Sequence, residues 1–283
     1  MEIKSLGNTN FDRIWEAFGN AFEDYESQVN KEQLKVMLKR RGFVPELSFA
    51  AFDDDAIVSF TLNGIGNFNN ISTAYDTGTG TIKEFRGRNL SSEIFAFSIP
   101  WLKKANIRQY LLEVLQHNAP AVHIYQKNGF EITRGFNYFM QKQQELAIRP
   151  ADPDSPYVIR QTALSDCKHH QQFCDFPPSW QNSFDAIGRK PDDFLAFGAF
   201  LGPKLTGYCI LEPNTGDITQ IAVDREHRRK GAGSLLLGEA LKHNRHDSVK
   251  LLNADVDCGS IAGFAKAINL ELKGKQFEMI KEL

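Results

Sequence analysis

Arg228-Arg229-Lys230-Gly231-Ala232-Gly233 stands where one periodicity gives way to another. Before it, Ile218-Thr219-Gln220-Ile221-Ala222-Val223 is β-branched and apolar, as a buried strand requires. After it, Ser234-Leu235-Leu236-Leu237-Gly238-Glu239-Ala240-Leu241 consists largely of strong helix formers at helical spacing. A strand that turns through glycine into a helix leaves the first N–H groups of that helix without intrahelical acceptors, ready for an anion. Gly231 and Gly233 let the backbone turn tightly and come close to a ligand, and Arg228, Arg229 and Lys230 add complementary charge. Two common phosphate loops are excluded, because no Gly-Lys-Ser/Thr follows and position 236 is Leu where a dinucleotide fingerprint has its third glycine.

The loop occurs twice. Phe85-Arg86-Gly87-Arg88-Asn89-Leu90-Ser91-Ser92 precedes His227-Arg228-Arg229-Lys230-Gly231-Ala232-Gly233-Ser234 by 142 positions, and the surroundings recur with it. Leu47 to Phe52, a turn at Asp53-Asp54-Asp55 and Ile57 to Leu62 read as a hairpin; Phe194 to Leu201, Gly202-Pro203-Lys204 and Leu205 to Leu211 repeat it. Phe136 to Lys142 matches Lys275 to Lys281 at an offset of 139, a drift that loop deletions allow. Between the halves, Arg149-Pro150-Ala151-Asp152-Pro153-Asp154-Ser155-Pro156 reads as an extended linker. The chain therefore divides into 1–146, a linker at 147–156, and 157–283. Each half reads strand, one or two helices, three strands, helix, strand, helix, strand. The fold class is α/β: two domains, each a central mixed, mostly antiparallel sheet flanked by helices.

A second signal lies in the first half, where a strand over Tyr110 to Leu115 leads into Asn118-Ala119-Pro120-Ala121-Val122-His123-Ile124-Tyr125-Gln126-Lys127-Asn128-Gly129-Phe130. Asn118 is a good N-cap, Pro120 suits an early helical position and Gly129 a C-cap. Tyr125 has no part in that local explanation.

Together these two motifs resemble the GNAT superfamily of N-acetyltransferases, once in each half. Arg-x-x-Gly-x-Gly after a strand is similar to its acyl-CoA pyrophosphate loop, and Asn-x-x-Ala-x-x-x-Tyr followed by Gly-Phe is similar to its second signature. The resemblance implies acetyl-CoA as co-substrate and direct attack by an amine, without an acyl-enzyme. It implies pyrophosphate binding by Arg86, Gly87, Arg88, Asn89, Leu90 and Ser91, and by Arg228, Arg229, Lys230, Gly231, Ala232, Gly233 and Ser234. Pantetheine would lie along Thr79, Gly80, Thr81 and Ile82, or along Ile221, Ala222 and Val223, with Asn118 touching it. Tyr125 would protonate the departing thiolate. For the general base, Asp76 and Glu113 are candidates in the first half and Asp217 in the second, each also readable as an ordinary surface or turn carboxylate.

The copies depart from the pattern in different places. Asn89 and Ser91 stand where glycine or alanine is usual, although asparagine visits left-handed backbone more readily than other residues with side chains. In the second half Cys258 or Ser260 falls near the asparagine position, and Phe264 or Ala265 near the tyrosine; neither of the latter pair donates a proton.

Composition narrows the remainder. A formal net charge of −2 gives no general electrostatic reason to bind nucleic acid or an anionic membrane. No signal peptide or long apolar run is evident, so the expected location is cytoplasmic. The cysteines read as free thiols. Cys167-x-His169-His170-x-x-x-Cys174 has no usual zinc spacing, and no metal is expected. Phe11, Trp15, Phe18 and Phe22 read as a core stripe rather than an acceptor pocket, and Tyr25 falls nearby. Pro177-Pro178-Ser179-Trp180 reads as a loop that could carry specificity. The partners implied are acetyl-CoA and a small amine or peptide acceptor, for a monomer or homodimer. Three functions stay open: an N-acetyltransferase with a catalytic first half, one with a catalytic second half, and a CoA-binding sensor without turnover.

Overall fold

The computed structural model describes residues 1–24, 29–148 and 154–283. Tyr25 and linker positions 149–153 lie outside the described residues. The strands are β1 (Glu2–Ser5), β2 (Phe49–Asp53), β3 (Ala56–Phe68), β4 (Ile71–Thr81), β5 (Gln109–Leu115), β6 (Glu131–Lys142), β7 (Val158–Gln161), β8 (Leu195–Leu201), β9 (Lys204–Glu212), β10 (Asp217–Val223), β11 (Ser248–Asp255) and β12 (Leu272–Glu282). The α-helices are α1 (Phe11–Ala21), α2 (Lys31–Arg41), α3 (Leu90–Lys104), α4 (Ala119–Lys127), α5 (Leu164–His169), α6 (Phe184–Gly188), α7 (Ala232–Leu241) and α8 (Gly259–Ala267).

Helix ends follow local chemistry. The Asn10 side chain accepts from the Asp12 N–H at 2.9 Å and starts α1. Asn30 and Gln33 form a reciprocal capping box at α2, which carries Lys39, Arg40 and Arg41 in its last turn and stops at a left-handed Gly42. The stripe on α1 is a core face: Ile14, Ala17 and Ala21 are buried, and Phe11, Trp15, Phe18 and Phe22 pack beside them.

The chain forms two compact units, Met1–Thr133 with Phe277–Leu283, and Arg134–Gln276. In the first, strands run β1-β2-β3-β4-β5 and then β12; in the second they run β7-β8-β9-β10-β11 and then β6. The ladders from β1 to β4, from β7 to β10 and between β6 and β11 are antiparallel, and β4 with β5 and β10 with β11 are parallel. Sequence repeat and compact unit thus partition the chain differently, because the last strand of each repeat sits largely in the unit built by the other. Inside the first unit, Met279 is fully buried in one apolar cluster with Phe95, Leu102, Tyr110 and Phe130. The Leu283 N–H donates to the Arg108 carbonyl at 2.9 Å, and the Thr133 hydroxyl donates to Glu278 Oε1 at 3.0 Å.

Both parallel ladders are short. The β4–β5 register runs from Thr73↔Gln109 to Tyr75↔Leu111, and the β10–β11 register consists of Asp217↔Lys250. Just beyond, a bulge interrupts each preceding hairpin: Leu62 pairs with Gly78 and Asn63 with Asp76, leaving Thr77 extra, and Thr219 is extra in β10. An inserted residue bends and twists its strand, and here it falls where parallel pairing stops. Arg41, at the end of α2, holds the first bulge by donating from Nη1 to the Thr77 carbonyl at 3.0 Å. Gly64 makes that approach possible, since a Cβ there would collide with the Arg41 carbonyl oxygen.

The exchanged strand yields a prediction that sequence order alone would not. Met279→Asp puts a charge into the core of the first unit and should cost that unit about 3 kcal/mol or more. Hydrogen exchange should therefore accelerate in residues 109–115, which belong to the opposite sequence repeat.

Candidate functional site

The two loops that follow β4 and β10 share one backbone plan. Left-handed conformations fall at Gly87 (φ 77°) and Asn89 (φ 62°) in the first copy, and at Arg229 (φ 61°) and Gly231 (φ 90°) in the second. These are equivalent positions at the offset of 142. Asn89 thus adopts the geometry expected of it in place of glycine. Neither helix that follows, α3 or α7, has a side-chain cap hydrogen bond at its start, so no cap side chain takes up the N–H groups of the first helical turn.

The first arginine of each loop points inward. Arg86 donates from Nε to the Thr81 carbonyl at 3.2 Å, from Nη1 to Asp24 at 3.1 Å and from Nη2 to the Ala21 carbonyl at 3.0 Å. Arg228 repeats this on the Val223 carbonyl at 2.9 Å, Asp175 at 2.7 Å and the Phe173 carbonyl at 3.1 Å. The Arg86 hydrogen bond and the Lys83 charge hold the Asp24 carboxyl below its usual range. Burial pushes Asp175 upward, but hydrogen bonds from Ser260 and Arg228 outweigh it and leave the group below its usual range.

In the first copy a cavity of about 280 Å³ is lined by Thr79, Gly80, Thr81, Arg86, Ser91 and Tyr125, with Ala21, Phe22, Ala121 and Ile124. Ile82, Gly87, Arg88, Asn89, Leu90 and Asn118 do not line it; the Asn118 side chain caps α4 by accepting from the Ala121 N–H at 3.3 Å. Next to the bulge, Asp76 is buried and accepts from the Gly78 N–H at 2.9 Å and the Thr79 hydroxyl at 2.7 Å. Tyr125 lies close enough to the same carboxyl group to help hold its pKa down. Burial raises Asp76 to about 6, against the opposing pull of those hydrogen bonds and of the Arg41 charge. Tyr110 donates to Asn63 beside this centre, and burial, with the Asp76 charge, raises its phenol well above the usual range. Glu113 instead partners Tyr75, whose phenol is raised by burial and by the Glu113 charge. The fold brings Asp76 and Tyr125 together and assigns Glu113 a different partner.

The second copy lacks this pair. The bulges align Thr77 with Thr219 and therefore Asp76 with Ile218. Asn118 and Cys258 are the N-cap residues of α4 and α8, which aligns Tyr125 with Ala265. Asp217 occupies the register of Tyr75, is buried, and accepts from the Thr219 hydroxyl at 3.0 Å. It does not line the cavity of this copy. That cavity, about 630 Å³, is lined by Ile221, Ala222, Val223, Arg228, Arg229, Lys230, Gly231, Gly233 and Ser234 among others; Ala232 is buried beneath. Its size falls within the range of roughly 300–1,000 Å³ usual for ligand sites. Facing the bulge, Gln220 accepts from the Tyr208 hydroxyl at 2.9 Å and donates to the Asn182 carbonyl at 2.6 Å.

Other sequence candidates resolve into packing. Ser179 and Trp180 are buried, so this part of the proline-rich loop is core, while Phe176 and Pro178 do line the second cavity. Cys167 lies in an apolar cluster, where burial pushes its thiol up to about 12, and Cys174 contacts the Tyr208 hydroxyl at 3.1 Å, so the two do not share a ligand-like arrangement. Asp224, Glu226 and His227 approach one another within 4.8 Å among the described residues. Asp224, however, caps Glu226 and pairs with Lys204, and His227 Nδ1 lies 3.1 Å from the Tyr157 hydroxyl. Sequence reading passed over Asp24, Asp175 and Arg41. Aligning the two copies through the arginine contacts is the signal that reveals the first two.

With this geometry in hand, the comparisons with known proteins fall into place. The acetyltransferase (GNAT) family model matches residues 10–130 and again 161–265, and the chain belongs to that family. A tandem GNAT protein from the clavulanic acid biosynthesis pathway superposes with a TM-score of 0.74 at 14% identity, covering 99% of this chain and 98% of that one. A GCN5-related N-acetyltransferase from Sphaerobacter thermophilus gives 0.72 at 14% identity over 99% and 95% of the two chains. A glucosamine N-acetyltransferase region of a fungal multi-domain β-N-acetylglucosaminidase gives 0.73 at 12% identity over 98% of this chain and 38% of that one. No curated protein matches the sequence. Among the described residues, no helix is long and apolar enough to cross a membrane.

Asp76 has a consequence for stability. Its folded-state value of about 6 exceeds the unfolded 3.8, so between those values the folded chain holds a proton that the unfolded chain has released. Stability contributed by the protonated group is thus complete below about pH 4 and lost as pH rises to about 6. Asp76→Asn should equal the parent near pH 4 and exceed it by about 2–3 kcal/mol at pH 7, read as a Tm difference that opens across this window.

Proposed function

We propose that this chain is an acetyl-CoA-dependent N-acetyltransferase whose first copy performs the chemistry, moving acetyl to a primary amine of a small molecule or peptide. The observation that carries this reading is the Asp76–Tyr125 pair at the end of the parallel ladder, set against Ile218 and Ala265 at the equivalent positions.

The chemistry follows from what each group can hold. The acceptor enters as an ammonium ion and must lose a proton; Asp76, ionised above about pH 6, takes it directly or through water. The free amine attacks the thioester carbonyl carbon. Backbone N–H groups of β4 beyond the bulge stabilise the oxyanion. As the tetrahedral intermediate collapses, the C–S bond breaks and Tyr125 gives its proton to the thiolate. The proton held on Asp76 then passes to the adjacent phenolate and restores Tyr125, while the second proton of the former ammonium leaves the new amide nitrogen for water, so each turnover releases one proton.

The larger cavity in the second copy, lined by its loop, favours cofactor binding there without turnover. In that case two acetyl-CoA molecules bind per chain and one is consumed.

Thiol release with a panel of amines separates an enzyme from a sensor. Tyr125→Phe should lower kcat by about 10²-fold or more, while Asp217→Asn should leave it near the parent value. The parent kcat/KM should rise with pH through an apparent pKa near 6, and Asp76→Asn should abolish that limb. Full activity in Tyr125→Phe would remove the first copy as the catalytic one.

A further inference from the structure

The arginine that opens each anion loop is the residue a sequence reading would place on the pyrophosphate. The geometry gives it other work. A guanidinium has N–H donors fixed in one plane, so three bonds to three separate segments determine its position almost completely. In both copies those segments are the strand end before the loop (Thr81 or Val223), a carbonyl of the early helical region (Ala21 or Phe173), and an aspartate shortly after it (Asp24 or Asp175). A second basic residue, Lys83 or Arg225 at the same offset of 142, meets the same carboxylate at 3.6 Å or 3.2 Å. In the second copy Asp175 also accepts from the Ser260 hydroxyl at 2.7 Å, tying in the start of α8.

We infer that Asp24 and Asp175 are positioning residues: each clamps the first arginine of its loop and so preforms the two left-handed turns, leaving the pyrophosphate to backbone N–H groups and the loop's later basic residues. Three observations carry this. The arrangement occurs twice, on partners 62 and 53 residues from the arginine, in copies whose catalytic positions have diverged. The clamped arginine is charge-paired, which reduces the field it can offer a phosphate. The strained left-handed positions lie at the first and third residues after it, where a fixed anchor defines the path of the chain. The clamp also binds each loop to the cavity wall, because Ala21, and Asp175 itself, line the two cavities.

This inference rests on the reading that the loops bind acetyl-CoA, and the test separates the two. Asp24→Ala/Asp175→Ala removes both carboxylates; Arg86→Lys/Arg228→Lys keeps both charges and loses the planar fork. If the aspartates position the loops, both double variants should bind acetyl-CoA on the order of tenfold more weakly by calorimetry. If the arginines are direct phosphate ligands, removing an acid beside an anion site should tighten binding and lysine should substitute well; either result overturns the inference. A second readout does not involve the cofactor. In the ligand-free chain, amide exchange over residues 83–93 and 225–235 should accelerate in both variants while other helices keep parental protection. Unchanged exchange there overturns the clamp even if acetyl-CoA binds, and a parent chain that fails to bind acetyl-CoA overturns the cofactor reading alone.

Discussion

The structure of each copy depends on two parallel strands that pair briefly and then stop. Parallel neighbours ordinarily satisfy one another's backbone groups along their length, and an edge left open inside a fold is costly unless something fills it. Here the bulge at Thr77 or Thr219 ends the ladder deliberately. Past it, β4 and β10 run on toward the loops at Arg86 and Arg228 with one edge facing a cavity instead of a strand. The helix after the next strand, α4 or α8, forms the opposite wall, and the loop closes the end. An acyl-CoA, with an amide-bearing arm and a phosphate end, matches such an opening in chemical order. Asp76 sits next to the bulge, where it is buried.

Duplication allowed the copies to share out these features. The first has Asp76 beside Tyr125, a small cavity and a loop in which asparagine stands at the second left-handed position. The second keeps the glycine loop and a larger cavity, but Ile218 and Ala265 leave its ladder end without a titratable pair. Gln220, held by Tyr208 and Asn182, fills the space beside the bulge with a neutral, satisfied amide. A buried polar group with all its partners rigidifies a site without giving it reactivity.

Much of this was legible in the sequence, and the failures have physical causes. Element types, the double loop and the left-handed role of Asn89 follow from local propensity, which acts over a few residues. Asp76, Glu113 and Asp217 were indistinguishable as bases because what separates them is strand register: one residue of bulge puts Asp76 next to Tyr125 and puts Asp217 at the position of Tyr75. Arg86 and Arg228 read as phosphate ligands because their partners, Asp24 and Asp175, lie far away in sequence. Trp180 read as loop because prolines precede it, yet the chain returns it to the core. The segments 136–142 and 275–281 were recognised as matching strands, but similarity between them says nothing about which sheet each completes.

That last point bears on how the chain is made. A ribosome releases the first repeat well before the second, and a tandem protein is usually pictured as folding one domain at a time. Here the first compact unit cannot be completed until residues 277–283, which follow the whole of the second unit in the sequence, have emerged. Until then Phe95, Tyr110 and Phe130 have no Met279 to pack against, and the outer edge of β5 stays open. The exchange makes the first unit wait for a strand synthesised after the whole of the second, with the outer edge of β5 exposed until then.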